Sequence, residues 1–152
     1  MILYVEDLLR EINIKNWYSG EALKRKEPDA VAVQSGADEQ DAMMQHIRTA
    51  VNTVVLLANP NKIKFVCKYE DDKLSFSLSP IRVGREYLLD VLREAIRQFI
   101  VYEVRRLWMM LVRPEWADSS LRGELLGNIS TAMGNVANDR RVRRRATDLA
   151  GI

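Results

Sequence analysis

The sequence has a single cysteine and a single histidine, and these two shortages exclude several classes of site. Cys67 is the only cysteine among 152 residues, so neither an internal disulfide nor a thiolate cluster for a metal is possible. His46 is the only histidine, so a histidine-rich metal site is excluded and a Ser-His-Asp arrangement would depend on this one residue. We expect Cys67 to be a core residue of a predicted strand and His46 to lie at the surface or the edge of the core.

Long apolar runs and a secretion signal are also absent. The most apolar stretch, residues 99–112, is interrupted by three charged residues and is shorter than the roughly 20 residues of a membrane span. Glu6 and Asp7 stand where a signal peptide would carry positive charge. We therefore expect no membrane-spanning helix and a cytoplasmic, reducing compartment.

The motifs of common enzymes and of nucleotide binding are missing. Gly20, Gly36 and Gly84 are isolated from one another, and none opens a glycine-rich phosphate loop. No nucleophile elbow or paired carboxylate surrounds His46. The acidic run at 70–72 lacks calcium-loop spacing and is better explained as a charged turn. We predict that the protein is not an enzyme and has neither a cofactor nor a metal.

What the sequence does have is a basic C-terminal end. Residues 1–80 contain 10 basic and 12 acidic side chains, whereas residues 81–152 contain 13 and 9, so the two parts differ by six charges. Five arginines lie close together near the end of the sequence: Arg140, Arg141, Arg143, Arg144 and Arg145. This asymmetry indicates an acidic partner.

Two partners remain open for these arginines. Guanidinium groups bind phosphates well, which favours contact with the nucleic-acid backbone. No aromatic residue accompanies them, which argues against stacking on single strands or base-specific recognition. We favour a solvated tail or a contact with protein over direct DNA contact, because arginine is also enriched at protein interfaces.

The first third of the sequence predicts one short helix followed by a loop. Apolar residues recur at helical spacing from Val5 to Ile12, with acidic residues near the start, where they suit the helix dipole. Residues 15–37 lose this period and contain glycines, a proline and a basic run, which predicts an exposed loop whose start is held by Trp17 and Tyr18.

A second helix and a hairpin follow. Residues 38–58 repeat apolar side chains at helical spacing, and the Asn59-Pro60 pair ends the pattern. Two apolar sets then alternate with lysines and serines over 63–69 and 74–78. We predict a β-hairpin at about 62–79, with a turn at 70–73 and Tyr69 opposite Leu74.

The remainder predicts two more helices. One covers roughly residues 85–112, is apolar nearly all round in its C-terminal half, and closes at Arg113-Pro114. Such coverage is typical of a central helix in a bundle or of an oligomer, and we favour the oligomer. The last helix can be capped by Asp118, Ser119 or Ser120 and runs to about Asn138.

Glycines on this last helix predict a packing groove. Gly123, Gly127 and Gly134 share one helical face, and each costs about 1 kcal/mol relative to alanine. They favour close approach of another helix, within the fold or across a subunit contact. The alternative is a weakly helical, frayed segment.

These elements define a mainly α protein, a small bundle of about four helices with one inserted β-hairpin. We expect one helical domain over 1–138 and a basic C-terminal tail over 139–152. A protein of this length can form a core that buries roughly two thirds of the surface of the unfolded polypeptide, without disulfides or metal ions to stabilise it.

The order of elements resembles the small head-to-tail connector (neck or adaptor) proteins of tailed bacteriophages. The residues that carry the resemblance are 5–12, 38–58 and 92–108, the last with the Ala95-Ile96 pair, Tyr102 and Trp108. The resemblance as a whole extends over roughly two thirds of the sequence, and it contains no diagnostic motif. The polar 15–37 insertion and the glycine-bearing last helix depart from the family's pattern.

The resemblance implies a structural virion protein that forms a ring of about a dozen copies under the portal. It also implies that DNA passes through the ring, that portal and tail proteins are its partners, and that the arginine cluster reaches the portal, a neighbouring copy or the DNA. The alternative from the residues is a small DNA-binding or regulatory protein that uses the same arginines.

Overall fold

The structure, a computed structural model, describes residues 1–26, 39–58, 60, 64–79 and 86–150, with the side chains of 23–26, 79 and 138–150 outside the description. Four helices and three strands follow one another in this order: β1 (Ile2–Tyr4), α1 (Val5–Lys26), α2 (Gln40–Ala58), β2 (Lys64–Tyr69), β3 (Lys73–Ser79), α3 (Glu86–Val112) and α4 (Arg122–Ala150). A short 3-10 turn, Pro114–Trp116, connects α3 to α4. This architecture confirms the predicted mainly helical fold with its inserted hairpin.

Helix α3 is the central element of the core. Its C-terminal half is buried on most sides, as its apolar coverage predicted, and Phe99 and Ile100 are completely inaccessible to solvent. Helices α1, α2 and α4 all pack against it. The predicted end at Arg113-Pro114 is confirmed, because proline cannot continue the helical hydrogen bonding.

The sheet has one more strand than predicted. β2 and β3 pair antiparallel with Tyr69 opposite Leu74, which confirms the predicted register. β1 pairs with the other edge of β3, where the Met1 ammonium donates to the carbonyl of Phe76 at 2.9 Å. A three-residue strand is too short to display alternation, so the local sequence pattern did not reveal it.

Helix α1 is much longer than predicted. The segment expected to begin a loop at residue 15 is helical to Lys26, while residues 27–37 lie outside the described part. The apolar period is lost because the positions that face α3 become polar: Asn16 is completely buried and Ser19 bonds to α3. Trp17 and Tyr18 therefore belong to the helix, with 47 % and 64 % of their surfaces exposed.

Helix α4 also continues past its predicted end. It does not stop near residue 138 but runs to Ala150, so the expected basic tail is helical over 139–150. The apolar periodicity ends at Val136, the last buried residue of the core. The helix itself continues, because alanine and arginine favour helix and no glycine or proline interrupts residues 135–150. None of the helices in the described ranges is long and apolar enough to cross a membrane.

Candidate functional site

Polar groups converge where α1, α3 and the beginning of α4 meet. α1 and α3 run in the same direction, since Glu11 pairs with Arg97 and Ser19 pairs with Arg105. The start of α4 reaches the same region through Arg122. Three helices thus bring charged groups together within a largely apolar core.

Glu103 is the buried anion of this region. Only 2 % of its surface is exposed, yet both carboxylate oxygens have partners. Arg106, one turn further along α3, donates to them at 2.8 and 2.9 Å. Arg122 donates through Nε at 3.2 and 3.3 Å. The carboxylate therefore joins α3 to the first turn of α4.

The two guanidinium groups keep Glu103 ionised. Burial by itself would raise the pKa of this carboxyl group, but the hydrogen bonds and charges of Arg106 and Arg122 outweigh burial and lower the pKa below its usual value. The pKa of Arg106 is raised, first by its hydrogen bond to Glu103. Both groups remain charged at neutral pH.

Arg105, the neighbour of Arg106, is held entirely by neutral groups. Its Nε donates to Asn16 Oδ1 at 3.2 Å, and its Nη2 donates to Ser19 Oγ at 2.9 Å and to the Lys15 carbonyl at 3.4 Å. Burial lowers the pKa of Arg105, and the charge of Glu11 opposes this only in part. Within the described segments, no carboxylate forms an ion pair with this guanidinium.

Asn16 is the unusual partner in this set. It is fully buried, its Oδ1 accepts from Arg105, and its Nδ2 finds no acceptor among the residues the structure describes. A buried amide that satisfies only one side is costly, by roughly 1–3 kcal/mol for the unmade bond. The hydrogen bond that Asn16 Oδ1 does accept fixes the orientation of the Arg105 guanidinium.

A cleft of about 290 Å³ opens beside these arginines, between α1, α3 and the segment that follows the 3-10 turn. Arg105 and Arg106 form its polar wall, and Met109, Trp116 and Leu121 form its apolar wall. Its volume lies at the lower end of the range for small-molecule sites. This concave surface combines a preorganised cation with apolar contacts.

The predicted arginine cluster lies on α4, away from this cleft in sequence. Arg140, Arg141, Arg143, Arg144 and Arg145 occupy fewer than two turns of its backbone. Their side chains lie outside the described residues, so their partners stay a prediction. The backbone at these five positions is helical.

The glycine face of α4 does not pack closely within the described fold. A methyl group added at Gly123 or Gly127 would meet no atom within 4 Å beyond the helix itself. The predicted groove is therefore not a close helix contact inside the domain at these two positions, and α4 contributes Ile129, Met133 and its other buried residues to the core instead. The contact across subunits stays a prediction, for Gly134 as well.

His46 lies where it was expected, at the edge of the core, whereas Cys67 is not the core residue that was predicted. Cys67 is half-buried at the margin of the core, and burial raises its thiol pKa to about 11. His46 is half-buried on α2, and burial lowers its pKa. The described parts of the protein hold no group of three or more His, Cys, Asp or Glu side chains that could bind a metal.

Exposed apolar side chains form two further features. Three exposed apolar residues lie within about one turn of α1: Ile14, Trp17 and Tyr18. The rings of Trp17 and Tyr18 pack edge to face, with their centroids 5.0 Å apart. We name these three residues the α1 stripe. Met110 and Leu111, 49 % and 67 % exposed, form an apolar end of α3. Met110 and Leu111 belong to the C-terminal half of α3, for which the sequence predicted apolar side chains nearly all round, whereas the α1 stripe was not predicted.

Sequence reasoning missed the buried network and the cleft. The sequence pattern indicated only that three charged residues interrupt an apolar run: Glu103, Arg105 and Arg106. A glutamate in the middle of a helix that is otherwise buried all round was the available signal, because such a carboxylate requires cationic partners. Comparison with protein-family models, curated proteins and solved structures found no match.

Proposed function

We propose that this protein is a structural subunit of a phage neck, a head-to-tail connector or adaptor that assembles into a ring under the portal. The observation that carries the proposal is the exposure of large apolar side chains on two different helices, in the α1 stripe and at the apolar end of α3. A ring needs two different patches on every subunit, because each copy contacts one neighbour with one patch and the next neighbour with the other.

The order of the elements supports the same proposal. An acidic first helix, an amphipathic helix, a hairpin, a long central helix and a closing helix follow one another, as in the connector proteins that the sequence resembles. The polar network of the interior ties α1, α3 and α4 into one body. Helices joined in this way, with exposed apolar side chains on two of them, suit assembly.

Light scattering on the purified protein tests this function. We expect an oligomer at increasing protein concentration or on addition of the portal protein, and Trp17→Asp is expected to reduce it by placing a charge within the α1 stripe. Leu56→Asp is the matched control, because Leu56 is 67 % exposed on α2, outside both apolar surfaces. A protein that stays monomeric at every concentration, with and without portal protein, contradicts the proposal.

The arginine segment of α4 supports a second candidate, a small DNA-binding or regulatory protein. Five arginines within six positions of a helix present a dense positive charge, which attracts phosphate backbones whatever the sequence. Removal of residues 139–152 is expected to abolish binding to duplex DNA and flatten its salt dependence. Unchanged affinity and salt slope would eliminate this candidate.

A further inference from the structure

We propose that the cleft beside Arg105 is a binding site for a single carboxylate group attached to an apolar body. Arg105 supplies the charge and the donors, and Met109, Trp116 and Leu121 supply the apolar contacts. The proposal is independent of the connector function, because it concerns an isolated subunit and a small ligand.

The guanidinium of Arg105 is preorganised and only partly used. Its Nε and Nη2 bond to Asn16, Lys15 and Ser19, which hold the group against α1. Its other terminal nitrogen, Nη1, has no partner among the described side chains and backbone. Because Nη1 keeps its N–H donors, it can still donate to a carboxylate oxygen, and little side-chain entropy remains to be lost on binding.

The charge of the surroundings selects a monoanion. The region contains three guanidinium groups, those of Arg105, Arg106 and Arg122, and two carboxylates, those of Glu103 and Asp118. The sum is one positive charge. Arg106 and Arg122 both bond to Glu103, whereas Arg105 bonds only to neutral groups, so Arg105 is the guanidinium available to a ligand anion. Asp118 on the cleft wall disfavours a ligand with a second negative charge, such as a dianionic phosphate.

The apolar wall selects what the carboxylate is attached to. Trp116 comes from the 3-10 turn and Leu121 from the residue before α4, so both belong to the segment that follows α3. A volume of about 290 Å³ has room for one amino-acid side chain or a molecule of that size. A free carboxylic acid, the C-terminal carboxylate of a peptide and an acidic side chain share this chemistry.

Titrations observed through the arginine Nε–H resonances of the ¹⁵N-labelled full-length protein test the site. The Arg105 signal is assigned by its loss in Arg105→Gln. N-acetylleucine represents a C-terminal carboxylate, N-acetylglutamate amide represents an acidic side chain, and N-acetylleucine amide has the apolar body without the charge. Inorganic phosphate and sodium chloride at equal ionic strength complete the set.

We expect a saturable shift of the Arg105 signal with at least one of the two carboxylates, and the one that binds more tightly identifies the source. N-acetylleucine amide should bind at least about tenfold more weakly, because a hydrogen-bonded charge is lost. Equal binding of the amide, tighter binding of phosphate, or no saturable shift with either carboxylate would overturn the proposal.

Two variants locate the binding. Arg105→Gln is expected to weaken carboxylate binding at least about tenfold, whereas Arg93→Gln, an exposed arginine on the same helix, should leave it unchanged. Because Arg105 also joins α1 to α3, Leu121→Asp serves as a second variant that changes only the rim, where Leu121 is 47 % exposed. Its new carboxylate should abolish binding in a folded protein, and full binding by either cleft variant would refute the site.

Discussion

Replacement of Glu103 by glutamine removes the central charge of the buried network while it preserves the shape of the side chain. In the native protein this carboxylate accepts from Arg106 and Arg122, and only 3 % of its side chain is exposed. The amide retains one acceptor, but it also brings two N–H donors toward two guanidinium groups. Both arginines then lose their anion in a region from which water is largely excluded.

The magnitude follows from how well the two arginines can recover water. Breaking a buried ion pair by removal of one partner costs about 3–5 kcal/mol. The side chain of Arg106 is 15 % exposed and that of Arg122 is 37 % exposed, so partial hydration places Glu103→Gln near the lower limit, at about 3 kcal/mol. For a domain of this length such a loss lowers Tm by about 6–12 °C.

Urea unfolding followed by circular dichroism and tryptophan fluorescence measures this loss. With a slope of about 2 kcal/mol per molar urea, the midpoint should fall by about 1.5 M. Asp90→Asn is the matched control, because Asp90 pairs with Arg93 at 3.4 Å on the exposed side of the same helix and should lose less than about 0.5 kcal/mol. A Glu103→Gln loss below about 1 kcal/mol would refute the reasoning that the burial of this network makes its charges costly to separate.

The remaining predictions concern pH, the glycine face and the thiol. The pKa of Glu103 is lower in the folded protein than in the unfolded one, so its contribution is complete above the unfolded value of about 4.3 and is lost as pH falls through the folded value. The difference in stability between the native protein and Glu103→Gln should therefore be constant above about pH 5 and shrink in more acidic solution. Gly127→Ala should raise the free energy of unfolding by about 0.5–1 kcal/mol in urea titrations of the monomer, since the new methyl group meets open space, and a destabilised monomer would contradict that open geometry. If the same substitution weakens an oligomer in light scattering, the subunit contact of the predicted groove is supported. Cys67, with a thiol pKa of about 11, should be alkylated by iodoacetamide at pH 8 at least about tenfold more slowly than glutathione, and a rate equal to that of glutathione would show that the thiol is not buried as described.

Much of the fold was predictable because its signals are local. The helical spacing of α2 and α3 and the alternation of the hairpin follow from backbone geometry, and they predicted the end of α3 and the pairing of Tyr69 with Leu74. The errors at the ends of α1 and α4 share one cause. Apolar periodicity reports where a helix contacts an apolar core, and both helices continue where those contacts become polar or cease.

The candidate site was not predictable from any local pattern. Asn16 and Arg105 are separated by 89 positions, and Glu103 and Arg122 by 19, so nothing within a short window relates them. Either arginine could equally have faced solvent, as Arg93 does on the same helix. Asn16, which the sequence placed in a loop, becomes a hydrogen-bond partner of the buried Arg105 only because α1 packs along α3.

By itself the amino-acid sequence determined the class of the fold, most of its helices, the hairpin register and the basic character of its C-terminal end, because each depends on spacing or composition along the polypeptide. The tertiary structure decided that β1 completes the sheet, that Gly123 and Gly127 face open space, and that Arg105 lines a cleft without an anionic partner among the described residues. These features depend on which segments meet in space. The burial of a charged group costs free energy only where such packing removes the group from water.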